Sequence, residues 1–162
     1  MRKLVYGTVV LGLLTGMLLA LSYYGGSDHE GKGMVAETKM SAKDITVYKG
    51  KYCGCCDLYV QYLENKGYNV SVVVVEDIRA EHSKFDIPKN KSSCHISVTD
   101  DYFVVGHVPV EAIDRLLAER PNIRGISLPE MPSGSPGMPG SKKGPFVIYS
   151  LGDDGWNVFM KL

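Results

Sequence analysis

The chain of 162 residues carries no net charge, because 18 lysines and arginines balance 18 aspartates and glutamates. Phosphate binding needs a basic footprint, so the balance argues against nucleic acid as a partner. Cysteine is scarce, with four residues, too few for a disulfide-rich scaffold. On arithmetic alone four cysteines could form two bridges in three connectivities. Yet three of them fall in the run Cys53-Gly54-Cys55-Cys56, where bridges would staple almost nothing. What the chain has little of, it concentrates in one place. Hydrophobic content is ordinary for a globular domain, and the length suits one domain with an appendage.

Residues 1–22 open with Met1-Arg2-Lys3, and from Leu4 to Leu21 every residue is apolar, small, or a lone Thr or Tyr. A basic start before an apolar core fits a signal peptide, with Ala20-Leu21-Ser22 as a cleavage site. The apolar run is also close to the length of a membrane anchor. Both readings place the body outside the cytoplasm, periplasmic or at the cell surface, and touch the membrane only through this segment. A buried core helix is disfavoured, because the run has no polar face. Residues 23–43 hold Gly25, Gly26, Gly31, Gly33 and mixed charges without apolar periodicity. They read as a flexible linker, in which His29, Met34 and Met40 are solvated side chains or stray copper ligands.

The body, 44–162, reads in order. Ile45-Thr46-Val47-Tyr48 is a strand. Cys56 to Lys66 has Tyr59, Tyr62 and Leu63 at helical spacing, closed by Gly67. Val70 to Val75 is nearly continuous valine and predicts a strand buried on both faces. Together these make a βαβ unit with parallel pairing. A weaker helix over 76–85 follows, then two strands, Cys94 to Val98 and Tyr102 to Val105, in a hairpin. Pro109 starts a helix whose apolar face is Val110, Ile113, Leu116 and Leu117. From Pro121 to Gly144 the chain is Gly-, Pro- and Ser-rich and reads as loop. Phe146 to Leu151 and Trp156 to Met160 form a last hairpin. The class is α/β. The order βαβ-α-β-β-α with a C-terminal β-hairpin is that of a thioredoxin-like fold, in which Cys94 should face the first three cysteines.

The cysteine run combines a C-x-x-C pair, Cys53 and Cys56, with C-x-C and a contiguous thiol. At a helix N-terminus the unpaired N–H groups favour thiolate, moving a pKa of about 8.5 towards ~7 or below. Crowded thiolates repel unless a cation or a bond neutralises them. Thiolate selects Cu(I), zinc or iron–sulfur clusters. Zinc sites usually repeat C-x₂₋₄-C twice, and iron–sulfur spacings also differ. A polynuclear Cu(I)–thiolate cluster on Cys53, Cys55, Cys56 and Cys94 fits best, with zinc a poorer match. Disulfide exchange and inert structural bridges are the alternatives.

His95 follows Cys94 directly. Neighbours in a strand point to opposite faces, so His95 is either a ligand or a support behind one. His107, in Gly106-His107-Val108-Pro109, stands at a strand end, as a structural residue or a ligand. His82, among charged neighbours, reads as exposed. Met131 and Met138 lie in a Gly/Pro-rich loop. Thioethers suit Cu(I) and such loops often serve as lids, although surface anchoring explains them as well.

The blocks Val47-Tyr48-Lys49, Cys53-Gly54-Cys55-Cys56, Ser93-Cys94-His95, Gly106-His107-Val108-Pro109 and Met131-Pro132 to Gly137-Met138 together resemble the CopG-type copper-resistance family, over about residues 44–162. The resemblance implies a thioredoxin-like periplasmic domain holding a cysteine-bridged Cu(I) cluster in copper tolerance, with cycling of copper between oxidation states. It carries over to Cys53, Cys55, Cys56 and Cys94 as ligands, and to His95 and His107 as motif residues. Glu130 stands where that pattern leads one to expect glycine, which adds a carboxylate beside the loop.

The sequence thus supports an extracytoplasmic copper-binding protein, with copper ions and a copper donor or acceptor protein as partners. A thiol–disulfide oxidoreductase using Cys53 and Cys56, or a copper oxidoreductase with the cluster as catalyst, is the enzymatic alternative.

Overall fold

A computed structural model describes residues 43–162; the stretches expected to be a signal or anchor, 1–22, and a linker, from 23 through 42, lie outside the described residues. The described residues belong to one compact unit. The elements are β1 (Lys43–Gly50), α1 (Gly54–Asn65), β2 (Tyr68–Val75), α2 (Ile78–Lys84), a 3-10 turn (Lys89–Lys91), β3 (His95–Thr99), β4 (Tyr102–Val105), α3 (Val110–Glu119), β5 (Gly125–Ser127), β6 (Val147–Gly152) and β7 (Gly155–Lys161). Lys43, grouped with the linker by composition, opens β1.

All seven strands form one sheet in the order β2-β1-β3-β4-β5-β6-β7. β1 and β2 run parallel, with Lys43 opposite Tyr68, and β3 runs antiparallel to both β1 and β4. That is the thioredoxin-like core expected from element order. α1 and α3 cover one face, where Val47, Tyr59, Leu63, Val104, Ile113, Leu116 and Ile126 form the main core. Burying each such aliphatic side chain is worth roughly 1.5–3 kcal/mol. On the opposite face Ile78 and Phe85 pack on a smaller core of Ile87, Ile96, Phe103, Val105 and Leu151. The alternation is direct: odd residues of β1 face α1, and even ones face the other way.

Helix ends follow the sequence. Gly67 adopts φ +85° beyond α1, a conformation that glycine takes without steric cost. Asp77 caps α2 by accepting from Arg79 N at 2.9 Å. α3 begins after Pro109, and its first amide, Val110 N, donates to Tyr62 Oη at 2.9 Å, so α1 supplies the cap that α3 lacks.

Three expectations are corrected. β2 is not buried on both faces. It is an edge strand of the sheet, as β7 is at the other end, and Val72, Val73 and Val74 are exposed by 44, 39 and 58%. A valine run marks strand propensity and leaves strand position open. His82 is buried rather than exposed, because α2 turns it onto the sheet. Inside the stretch read as loop, β5 pairs parallel with β4 and antiparallel with β6, joining the last hairpin to the core. Gly125 fits there because a Cβ would come within 2.5 Å of the Phe103 ring.

Candidate metal centre

β1 ends at Gly50, and the chain turns through Lys51-Tyr52 into α1, whose N-cap is Cys53. The Cys53 carbonyl accepts from Cys56 N at 3.1 Å and Asp57 N at 3.3 Å, opening the helix. Its side chain makes no capping bond, which leaves the sulfur free for other chemistry. Gly54, Cys55 and Cys56 are the first residues of the helix, so three sulfurs share one turn. Cys53 and Cys56, at the i, i+3 spacing that shares a helix face, are joined as a disulfide, and Cys55 and Cys94 are free thiols.

Cys94 arrives from the residue before β3. Its Sγ lies 3.7 Å from Cys55 Sγ and 3.6 Å from Cys56 Sγ, and Cys53 and Cys55 sulfurs are 3.6 Å apart. All four sulfurs lie within 4.8 Å of one another. The predicted convergence of a distant cysteine on the C-x-C-C run is therefore present. Cys56 is fully buried and the other three are half-buried. A cleft of about 620 Å³, lined by Tyr52, Val74 and Ile78 among others, opens onto Cys53 and Cys94.

Both motif histidines reach the same place. Cys94 Sγ stands 3.1 Å from His107 Nε2 and 3.4 Å from His95 Nδ1, and Cys94, His95 and His107 form a second cluster of donors. The alternation rule that set His95 apart from Cys94 does not operate. Strand β3 begins at His95, so Cys94 is outside the pleat and its side chain is free to turn back. His107 follows β4, at the sheet end that carries the cysteines. Its Nδ1 donates to the Pro136 carbonyl at 2.6 Å; Nε2 is then the lone-pair nitrogen, directed at Cys94.

Tyr59 braces both imidazoles. It lies one turn beyond Cys55 and Cys56 and is wholly buried. Its ring centroid is 4.6 Å from His95 and 5.3 Å from His107, and its hydroxyl donates to Val108 O at 2.8 Å. Burial sets the proton affinities here. It pushes the Cys94 thiol up to about 12, with the neighbouring Cys55 adding to the effect. Burial, then the adjacent His107, lowers His95 to about 3. Burial also lowers His107, opposed by its bond to Pro136. At neutral pH the site thus offers two neutral imidazoles with available lone pairs and a thiol that yields its proton only to a competing cation.

The Gly/Pro loop lies against the site through its main chain. Besides the Pro136 carbonyl, Gly137 at φ +76° presses onto α1, where a Cβ would stand 2.7 Å from Tyr59 N and 3.0 Å from Cys55 O. Met138 lines a cleft with Leu58, Gln61, Tyr62 and Asn65 on the flank of α1, and Met131 is exposed. Glu130 and Met131 are consecutive left-handed residues, φ +73° and +57°, a conformation that glycine, the residue the resemblance leads one to expect at 130, takes without steric cost. Sequence reasoning missed Tyr59, Pro136 and Gly137 as parts of the site. The first looked like any core aromatic, and the others act through backbone atoms.

Residues 91–138 match a family model described as a protein of unknown function, DUF411. The fold superposes on two solved structures described as copper resistance protein CopG, form 2 and form 1. Each is 35% identical in sequence and covers 75% of this chain. This chain covers 99 and 98% of theirs, with TM-scores of 0.70 and 0.68. No curated protein matches the chain.

Proposed function

Because the chain belongs to the CopG-type copper-resistance family, we propose that it serves copper resistance by holding Cu(I) ions on Cys53, Cys55, Cys56 and Cys94. One observation carries this reading: Cys94, 38 residues from Cys56 in sequence, brings its sulfur to 3.6 Å from that of Cys56. Sulfurs at that separation can both reach one ion at a metal–thiolate distance of about 2.3 Å. Four of them with shared edges suit several Cu(I) ions bridged by thiolate better than one tetrahedral zinc. Soft sulfur donors favour Cu(I), and neutral imidazoles suit copper in either oxidation state. His95 and His107 extend the donor set beyond Cys94, which makes Cys94 a bridge between a sulfur-rich half and a nitrogen-rich half. That asymmetry supports cycling between Cu(I) and Cu(II).

Loading requires the Cys53–Cys56 disulfide to open, taking two electrons and two protons from an external dithiol, which is oxidised to its own disulfide, to give two thiols. Cu(I) then displaces thiol protons. The loop carrying Met131 and Met138 covers the site through the backbone of Pro136 and Gly137, while Met138 lines the cleft on the flank of α1. The apolar start of the chain directs the domain out of the cytoplasm, as cleaved signal or retained anchor. A copper donor or acceptor protein meets it there.

The test is elemental analysis after anaerobic reduction and Cu(I) loading. More than one copper per chain is expected, with the ratio falling in Cys55→Ser. A ratio no higher than one, indifferent to Cys55→Ser, contradicts the cluster.

The Cys53–Cys56 disulfide itself favours a second reading, a thiol–disulfide oxidoreductase. In that case exchange activity survives in Cys55→Ser and Cys94→Ser. Absence of activity in the unaltered protein, or its loss in Cys94→Ser, removes this reading.

A further inference from the structure

Lys49 is 5% exposed and is the lone lysine or arginine among the buried residues described. The register of β1 on β3 sets it directly opposite His95. It shares strand parity with Ile45 and Val47, whose side chains enter the core beneath α1. From there its Nζ reaches Asp57 Oδ1 at 2.8 Å, in the first turn of α1 and directly after Cys56. Apolar residues of similar volume often serve a buried position as well as an ion pair does. A charge kept at this spot therefore calls for a reason beyond stability.

The two ends of the pair differ in exposure. The Lys49 side chain is 7% exposed and that of Asp57 57%. Water screens the carboxylate far more than the ammonium, so the pair presents a net positive field towards the buried side of the helix start. Cys56, wholly buried, directly precedes Asp57 in this turn, and Cys53, half-buried at the N-cap, is bonded to Cys56. His95 and His107 are neutral and contribute no cation. Thiolates holding fewer Cu(I) ions than sulfurs carry net negative charge that something must balance.

We propose that Lys49 is a positioning residue for anionic sulfur, its buried charge favouring the thiolates of Cys53 and Cys56 and, on the copper-binding reading above, the metal–thiolate state. The helix N-terminus acts in the same direction, and Asp57 opposes both. A pair that merely ties β1 to α1 has no such sign, since loss of either partner then weakens the site alike.

The experiment compares Lys49→Met, Lys49→Arg and Asp57→Asn in the full chain at one pH. The first measurement is Cu(I) affinity of the anaerobically reduced protein in competition with bicinchoninate. The second is the Cys53–Cys56 equilibrium in a dithiothreitol buffer. There the protein S–S bond breaks, and two electrons and two protons pass from the two thiols of dithiothreitol, which closes into its own disulfide. Lys49→Met is expected to weaken Cu(I) binding about tenfold. It should also shift the dithiol equilibrium about tenfold towards the disulfide, about 30 mV more negative. Lys49→Arg should stay within about threefold of the unaltered protein, and Asp57→Asn should move both measurements the other way. An unchanged dithiol equilibrium in Lys49→Met, or a shift of the same sign in Lys49→Met and Asp57→Asn, overturns the proposal. If the unaltered protein takes up no Cu(I), the copper reading fails by itself, and the dithiol equilibrium still decides the role of Lys49.

Discussion

His95 makes the metal-free protein sensitive to acid by a calculable amount. Its imidazole is wholly buried and touches Tyr59 and His107. Burial first, and the neighbouring His107 second, lower it from 6.5 to about 3. A depressed folded value means that the unfolded chain binds more protons between those limits. The stabilisation is therefore complete above about pH 6.5 and is lost as pH falls towards 3. Inserting both values in the linkage relation gives a loss of about 3 kcal/mol between pH 7 and pH 4. That is a large share of the roughly 5–15 kcal/mol that holds an ordinary domain folded. His82 and His107 are lowered too, both chiefly by burial, and add loss of the same sign. The assay is urea unfolding of metal-free protein at the two pH values, beside His95→Gln, which keeps a polar planar group and cannot titrate. The variant should lose about 3 kcal/mol less than the unaltered protein over this interval. Parallel losses in the two proteins refute the argument, since carboxylates and the other histidines are common to both.

Two backbone predictions concern the loop that supports the site. Gly137→Ala combines a left-handed conformation, costing about 1–2 kcal/mol, with a Cβ 2.7 Å from Tyr59 N. It should lower stability by about 3 kcal/mol once overpacking is included. Gly67→Ala, at φ +85° with nothing within 4 Å, should lose only the conformational part, so equal losses in thermal or urea unfolding contradict the close packing of loop on helix. Glu130→Gly relieves a left-handed non-glycine residue at φ +73°. It should raise stability by roughly 0.5–1 kcal/mol, after the entropic penalty of glycine is subtracted. The check is a higher urea midpoint at unchanged slope.

The core topology was legible because each local signal agreed with the next. Ile45 and Val47 alternate, Tyr59 and Leu63 repeat at helical spacing, Gly67 stops the helix, and Pro109 starts another. These signals depend on residues close in sequence. What escaped depends on pairings that only the closed sheet creates. The sequence Gly125-Ile126-Ser127 carries a single large apolar side chain and is a strand because β4 and β6 flank it. Val70 to Val75 reads as interior because valine is abundant there, yet nothing within the run says whether a further strand lies beyond it. His82 is polar and sits among charged residues, but three residues of helix phase decide whether it faces water or the sheet.

The site shows the same division at finer scale. The four cysteines were legible because crowding of thiols is itself improbable without a shared partner, and the element order brings Cys94 to the helix carrying the others. The histidines were legible only as candidates, His95 and His107 each with a structural alternative, and for His95 the reason is a boundary of one residue. Had β3 begun at Cys94, strand alternation would have sent His95 to the opposite face. Because β3 begins at His95, Cys94 belongs to the preceding bend, and its sulfur turns back to within 3.4 Å of His95 Nδ1. Strand ends are where sequence patterns are weakest, for one residue of period 2 carries no phase. Lys49, by contrast, carries its signal in the sequence itself. A lysine in phase with Ile45 and Val47 on a strand is either at the strand's exposed end or paired within the fold, and the acidic residue able to meet it, Asp57, follows the cysteine run directly. Strand parity alone therefore makes a charge on the core side of a strand that leads into a cysteine motif readable as part of that motif's electrostatics.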